Sequence, residues 1–274
     1  MHKSISFNRQ ICRSENSGLP AISPAPLYGY GIFTTIAIYN SKPFLWQKHW
    51  HRLSQNASLA GIDLSEFDHG TVFDCLSGII AENNVIDGRA RLTFFDQSEK
   101  GNWQIKSDRK TSLLITSADF RILQNGLRLT VSTSTINSKS PLAKLKSCNY
   151  LENLLALQEA QRRDFDEALR LNEKGEITSV CMANVFWLRD KKLYTPSLET
   201  GCLPGTTREF LLENHEVFEV RESLATLKEA EAIFLTSAGL GLATVRSLDS
   251  KLLPPSSTYN KLEDAFQNQI RNYK

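Results

Sequence analysis

No apolar run in this 274-residue chain approaches the length of a membrane-spanning helix. The first residues, Met1-His2-Lys3-Ser4-Ile5-Ser6-Phe7-Asn8-Arg9, lack the apolar core of a signal peptide, so no secretory leader is expected. Excess charge is missing too. A formal net charge of +2 gives no reason to expect nucleic acid or an anionic membrane as partner. The five cysteines (Cys12, Cys75, Cys148, Cys181 and Cys202) are odd in number, widely spread and without a CxxC pair. Neither a disulfide framework nor a zinc knuckle is expected, and a reducing cytoplasm is the simplest setting. His49 and His51 stand two apart, the wrong spacing for two ligands on one helical face, so no metal site is expected.

What is present reads as an ordinary soluble globular protein, with 41% hydrophobic and 23% charged residues. The length fits two medium domains. Strands are expected over residues 4–7 and 32–39, helices over 47–61 and 65–82, and strands over 89–94 and 112–116. Trp46, Trp50, Leu53, Ala57 and Ala60 recur at helical spacing, and Gly61 suits a C-terminal stop. Asn125-Gly126 punctuates the chain before a strand over 127–132. A first domain over 1–119, a linker over 120–125 and a second domain over 126–274 are therefore expected. In the second half a polar loop over 134–142 leads to Lys146 and to a helix over 149–162 supported by Leu151, Leu154, Leu155 and Ala160. Strands over 166–171 and 177–188, a hairpin through 189–192, a helix from Thr207, a strand over 232–236 and a helix over 259–271 complete the pattern. Strands and helices mix without strict alternation, which indicates α+β for both halves.

Three pieces carry chemistry. Lys146 is followed by Asn149-Tyr150-Leu151, with Asn153, Leu155-Ala156 and Glu159-Ala160 beyond and Asp166-Glu167-Ala168-Leu169 after them. Met182-Ala183-Asn184-Val185-Phe186-Trp187 forms the second piece. Leu203-Pro204-Gly205-Thr206-Thr207-Arg208 leads into a helix, and a helix N-terminus is a ready anion site. Alone, Lys146 beside Lys144 reads as a surface lysine, Arg52 as an exposed helix arginine, and Gly205-Thr206-Thr207 as a plain N-cap turn. Together the pieces resemble the class IV aminotransferases, the fold-type IV enzymes that use pyridoxal 5'-phosphate (PLP).

That resemblance implies two α+β domains, the first an α/β sandwich and the second with a barrel-like sheet and helices, with PLP between them and a homodimer as the assembly. It implies that Lys146 carries the cofactor covalently and acts as the catalytic base, with Lys144 the fallback. It also implies that Arg52, Thr206, Thr207 and Ser237 hold the phosphate. Thr236 belongs to the same loop, while Ala238 stands where many relatives have a hydroxyl. Tyr150 is implied at the cofactor, and Tyr28, Phe33 and Thr34 at the substrate. The position 33 residues beyond Lys146, where most relatives have a glutamate facing the ring nitrogen, is Ser179. Glu176 lies an odd number of residues away on the strand and should face the other side, unless a bulge intervenes. A serine cannot hold a protonated ring nitrogen, which disfavours transamination and is less harmful to an elimination whose product becomes aromatic. Gly31-Ile32-Phe33-Thr34-Thr35 and Met182-Ala183-Asn184-Val185-Phe186-Trp187 resemble the lyase branch. The expected activity is elimination of pyruvate from 4-amino-4-deoxychorismate to give 4-aminobenzoate, a step of folate biosynthesis. The alternatives are a transaminase of the D-amino-acid or branched-chain type and a catalytically silent relative acting as a binding protein. Pro24-Ala25-Pro26 and the loop over 96–103 depart from the family beside the substrate, so the carboxylate ligands stay open.

Overall fold

The computed structural model describes residues 1–18, 20–98, 110–120 and 126–273. The chain forms two compact units, Met1–Phe120 with Leu145–Asn149, and Arg121–Lys144 with Tyr150–Lys274. Apart from Phe120, the expected linker lies outside the described residues, as do residues 99–103 of the divergent loop.

The first unit contains β1 (Ser4–Phe7), β2 (Gln10–Arg13), α1 (Pro24–Tyr28), β3 (Gly31–Tyr39), β4 (Lys42–Pro43), α2 (Trp46–Ala60), α3 (His69–Glu82), β5 (Gly88–Asp96) and β6 (Thr111–Ala118). Its strands form one antiparallel sheet in the order β2-β1-β6-β5-β3-β4. Ile32, Ile36 and Ile38 of β3 join Leu92, Phe94, Leu113 and Ile115 in a core with Leu53, Ala57, Leu76 and Ile79 of the two helices. Alternation along β3 puts Thr34 on the same face as these isoleucines, so a hydroxyl is carried into the helix side of the sheet. Helix α2 ends at Gly61, whose φ of 64° is the left-handed cap expected there. Helix α3 starts later than its apolar periodicity predicts, because the Asp68 carboxylate accepts from the Thr71 N–H at 2.9 Å and caps it.

The second unit contains β7 (Leu127–Val131), α4 (Leu151–Arg162), β8 (Glu167–Leu171), β9 (Ile177–Val180), β10 (Asn184–Arg189), β11 (Lys192–Pro196), α5 (Thr206–Asn214), β12 (Val217–Val220), α6 (Leu224–Glu229), β13 (Ala232–Ser237), β14 (Gly241–Leu248), β15 (Lys251–Leu252) and α7 (Ser257–Arg271). The strand order is β12-β11-β10-β13-β14-β7-β8-β9, with β15 paired to β14. Strand β9 comes back against β10 and β11, so the sheet curls into a half-barrel. The β10–β11 hairpin turns at Asp190 and Lys191, both at positive φ as a tight primed turn requires.

One expectation about the second unit is corrected. The single strand over 177–188 is two strands, broken at Cys181–Ala183. Glu167 is the reason. Its carboxylate, 4% exposed, accepts the N–H groups of Ala168 at 3.0 Å, Cys181 at 3.1 Å and Met182 at 3.2 Å. A buried carboxylate with three donors outcompetes sheet pairing for those N–H groups. Burial pushes the Glu167 pKa up, and the donors oppose that rise. Helix α4 forms where it was expected. Leu151, Leu154 and Leu155 face outward at 66%, 43% and 56% exposure, while Ala156 and Ala160 make the inner contact.

Glu167→Ala should lower unfolding stability by about 3 kcal/mol, because three buried donors lose their acceptor. Urea unfolding of the variant measures this, and a loss under roughly 1 kcal/mol would contradict the account of the break.

Candidate active site

In the first unit the predicted residues gather at the start of β3. Residues 146–148 run antiparallel to it: the Phe33 N–H donates to the Lys146 carbonyl at 2.9 Å, and the Cys148 N–H to the Gly31 carbonyl at 2.8 Å. Ile32 stands opposite Ser147. Strand β4 covers β3 only at Ile38 and Tyr39, so the edge at Gly31 to Phe33 is left for this segment. That pairing explains why Leu145–Asn149, expected in the second domain from its place in the chain, packs with the first unit. Glycine is required at position 31, where a Cβ would lie 2.9 Å from the Phe94 carbonyl oxygen and 3.1 Å from Cys148 Sγ.

Lys146 Nζ lies 4.4 Å from the centre of the Phe33 ring, and Arg91 Cζ lies 3.6 Å from the same ring. Burial of the amine, then the Arg52 cation, then the Arg91 cation bring the Lys146 pKa from 10.5 down to about 7. A lysine with a substantial neutral fraction near pH 7 can act as nucleophile or base. Lys144, by contrast, is exposed. Arg52 Nη2 donates to Thr34 Oγ1 at 2.8 Å. The same Thr34 Oγ1 lies 2.7 Å from His49 Nδ1, in a hydrogen bond whose direction is set by the ring tautomer. Burial first, then Arg52 and Lys146, hold the His49 pKa well below its ordinary value. The imidazole stays neutral and adds no third cation beside Lys146 and Arg52.

In the second unit Thr206 and Thr207 open α5 and are 3% and 4% exposed. The cap residue Gly205 has no side chain to donate or accept, and a Cβ there would fall 2.0 Å from Asn184 Oδ1. Asn184 is itself pinned, its Nδ2 donating to the Leu203 carbonyl at 2.8 Å. Thr236 is the cross-strand partner of Asn184, and its Oγ1 is fully buried with no hydrogen-bond partner among the described residues. Ser237 ends β13 and is half-buried. Such an orphan hydroxyl calls for an explanation, and a bound polar group is one.

Ser179 sits on β9 directly opposite Arg170 of β8. A bulge follows that pair, so strand alternation alone does not keep Glu176 on the face opposite Ser179. The Glu176 carboxylate is committed to Asn172 Nδ2 at 2.7 Å and to Arg221 at 2.8 Å. The Asn172 hydrogen bond, then the Arg221 hydrogen bond, hold its pKa below the ordinary carboxylate value. Tyr150 caps α4 and is half-buried, while Tyr28 ends α1 at 45% exposure. Residue-by-residue reading missed Arg91, His49, Asn184 and Arg170. Only Asn184 carried a usable signal, as the polar member of an otherwise apolar Val-Phe-Trp strand.

A family model described as amino-transferase class IV matches residues 31–248. In sequence the chain is 30% identical over 282 residues to the aminodeoxychorismate lyase of Bacillus subtilis (strain 168), covering 98% of this chain and 95% of that protein. It is 26% identical over 260 residues to the branched-chain-amino-acid aminotransferase of Escherichia coli (strain K12), covering 89% and 84%. In structure, the crystal structure of the Escherichia coli branched-chain amino acid aminotransferase matches with a TM-score of 0.91 at 24% identity, over 98% of this chain and 94% of that one. That likeness is one of fold, and it bears out the α+β architecture expected from the sequence.

The folded Lys146 pKa of about 7 lies below the value of 10.5 for an unperturbed lysine. The unfolded chain therefore holds the extra proton between those two values, and the stability of the cofactor-free protein should rise with pH across that window. Lys146→Met should remove this rise. Urea unfolding of both proteins at neutral and alkaline pH tests it, and parallel pH dependences would show that the amine is not depressed.

Proposed function

The chain belongs to the amino-transferase class IV family of PLP-dependent enzymes, and from that premise we propose that it is the lyase that eliminates pyruvate from 4-amino-4-deoxychorismate and releases 4-aminobenzoate. The residues present fit the cofactor, each in its own unit. Lys146 offers an amine with a pKa of about 7. The second unit offers a helix start with no side-chain cap and the orphan Thr236 hydroxyl. We assign Lys146 to the carbonyl carbon, Arg52, Thr206, Thr207 and Ser237 to the phosphate, Tyr150 to the ring and Ser179 to the ring nitrogen. Tyr28, Phe33 and Thr34 are assigned to the substrate. When bound, PLP would supply the aldehyde that captures the substrate amine and a ring that can take up electrons as the proton is removed.

The chain's own work is proton transfer and orientation. Lys146 Nζ, with a substantial neutral fraction at physiological pH, takes the proton from the amine-bearing ring carbon. The electron pair left behind expels the neighbouring enolpyruvyl oxygen, and the carbocycle becomes aromatic. Burial first, and then the Arg52 charge, favour the deprotonated amine, and Thr34 holds Arg52 in place.

Ser179 is the observation that carries the lyase over the transaminase, together with the commitment of Glu176 to Arg221 and Asn172. No carboxylate is left there to keep a protonated ring nitrogen, which suits an elimination driven by aromaticity. Similarity to the Bacillus subtilis lyase along nearly the whole chain supports the same choice. We further propose a cytoplasmic homodimer. Outward-facing Leu151, Leu154 and Leu155 on one face of α4 support the dimer, and five free cysteines support a reducing compartment.

Incubation with 4-amino-4-deoxychorismate should release 4-aminobenzoate and pyruvate in equal amounts. Transfer of the amino group to 2-oxoglutarate without pyruvate release would overturn the lyase. Ser179→Glu should raise side transamination relative to elimination by roughly tenfold, the effect of ~1.4 kcal/mol between two barriers; a fall in that ratio would count against the electron-sink argument. Arg52→Ala should weaken PLP retention by about 10- to 100-fold, as loss of a charged hydrogen bond does. Equal PLP affinity in dialysis would remove Arg52 from the phosphate.

A further inference from the structure

Arg170 is a fully buried arginine in a place where nothing in the proposed chemistry asks for one. It is the cross-strand partner of Ser179, so both side chains leave the sheet on the same face. Its guanidinium donates to the Ser134 carbonyl at 3.3 Å, to Asn153 Oδ1 at 3.1 Å and to the Glu152 carboxylate. Arginine keeps its charge at every physiological pH. Among the described residues the one carboxylate paired with it, Glu152, has a side chain 64% exposed, so much of the countercharge is solvated while the cation is dry.

The charge is felt along β9. Burial and Glu167 push the Cys181 thiol up, and Arg170 opposes them, although Cys181 lies two residues beyond Ser179. The other polar groups facing this cation are Asn153 and Glu152 of α4 and the Ser134 carbonyl. Glu167 of β8 is held by three backbone N–H groups. The Ser179 hydroxyl has no hydrogen-bond partner among the described residues, so its proton remains for a ligand.

We propose that Arg170 and Ser179 together hold the ring nitrogen of bound PLP unprotonated, Ser179 by donating a hydrogen bond to it and Arg170 by opposing a second positive charge beside its own. This deepens the proposed function and rests on the assignment of Ser179 to that nitrogen. Arg170 acts here as a specificity-determining positioning residue. The neutral ring is a weak electron sink, too weak to favour transamination and sufficient for an elimination that ends in an aromatic product. Serine in place of a carboxylate removes the group that would hold the ring proton, and Arg170 actively disfavours that proton.

The test is 15N NMR of the enzyme reconstituted with PLP labelled at the ring nitrogen, followed through a pH titration. In the wild type the signal should be that of an unprotonated pyridine at neutral pH. Arg170→Met should raise the midpoint of ring protonation by about one to two pH units, the size expected for one charge at short range in a partly dry site. An unchanged midpoint in a folded, cofactor-loaded variant would overturn the proposal. If circular dichroism shows that Arg170→Met does not fold, Glu152→Gln decides, since losing the countercharge should lower the midpoint by roughly half a unit; no shift would overturn it equally. Ser179→Glu separates this inference from the reading beneath it. That variant should move the signal to the protonated position. A bound cofactor whose signal ignores residue 179 would remove the assignment of Ser179, and a wild type that takes up no PLP would remove the proposed function itself.

Discussion

A lysine amine works near neutral pH only where its own protonation is made unfavourable, and the first unit is arranged around that constraint. Burial of the Lys146 amine first, then the charges of Arg52 and Arg91, bring its pKa to about 7. The neighbours are consistent with this. Thr34 ties Arg52 to the sheet, and His49 is kept neutral so that it adds no charge. The strand edge left uncovered by β4 gives residues 146–148 their place, and Gly31 gives them room. Remove the edge pairing and the lysine has no reason to be there.

The second unit handles polar groups by a different rule, because most of them are buried in the curl of the sheet. Glu167 is satisfied by backbone donors and in exchange breaks a strand into two. Asn184 is satisfied by the Leu203 carbonyl and in exchange permits only glycine at position 205. Thr236 is left with an unsatisfied hydroxyl, and Ser179 with an unused one beside a buried cation. Satisfied groups shape the fold, and the unsatisfied ones mark where a ligand is needed.

Local signals in the sequence carried a good deal of this. The apolar period of α2 and its Gly61 cap, the turn at Asp190-Lys191, and the Gly-Thr-Thr start of α5 are all set by residues within a turn or two of each other. Where competition came from afar, the signal failed. The stretch over 177–188 reads as one strand, since nothing in it reveals that Glu167 takes the N–H groups of Cys181 and Met182. Which side of α4 faces the core is likewise decided by the fold, which packs the helix through its alanines. Glu176 was expected to face away from the position of Ser179, and its engagement by Arg221, 45 residues later, depends on the tertiary fold.

Taken alone, the sequence determined the identity and spacing of the reactive groups: one lysine ahead of a helix, a glycine-led helix start, and a serine where a carboxylate is usual. Those are properties of order along the chain, and order survives without a fold. Tertiary structure decided the charges those groups feel, because the cations that act on Lys146 come from positions 52 and 91, and the one beside Ser179 from position 170. Electrostatic influence falls with distance in space and is blind to distance in sequence, so only strand pairing could reveal which cation stands beside which reactive group.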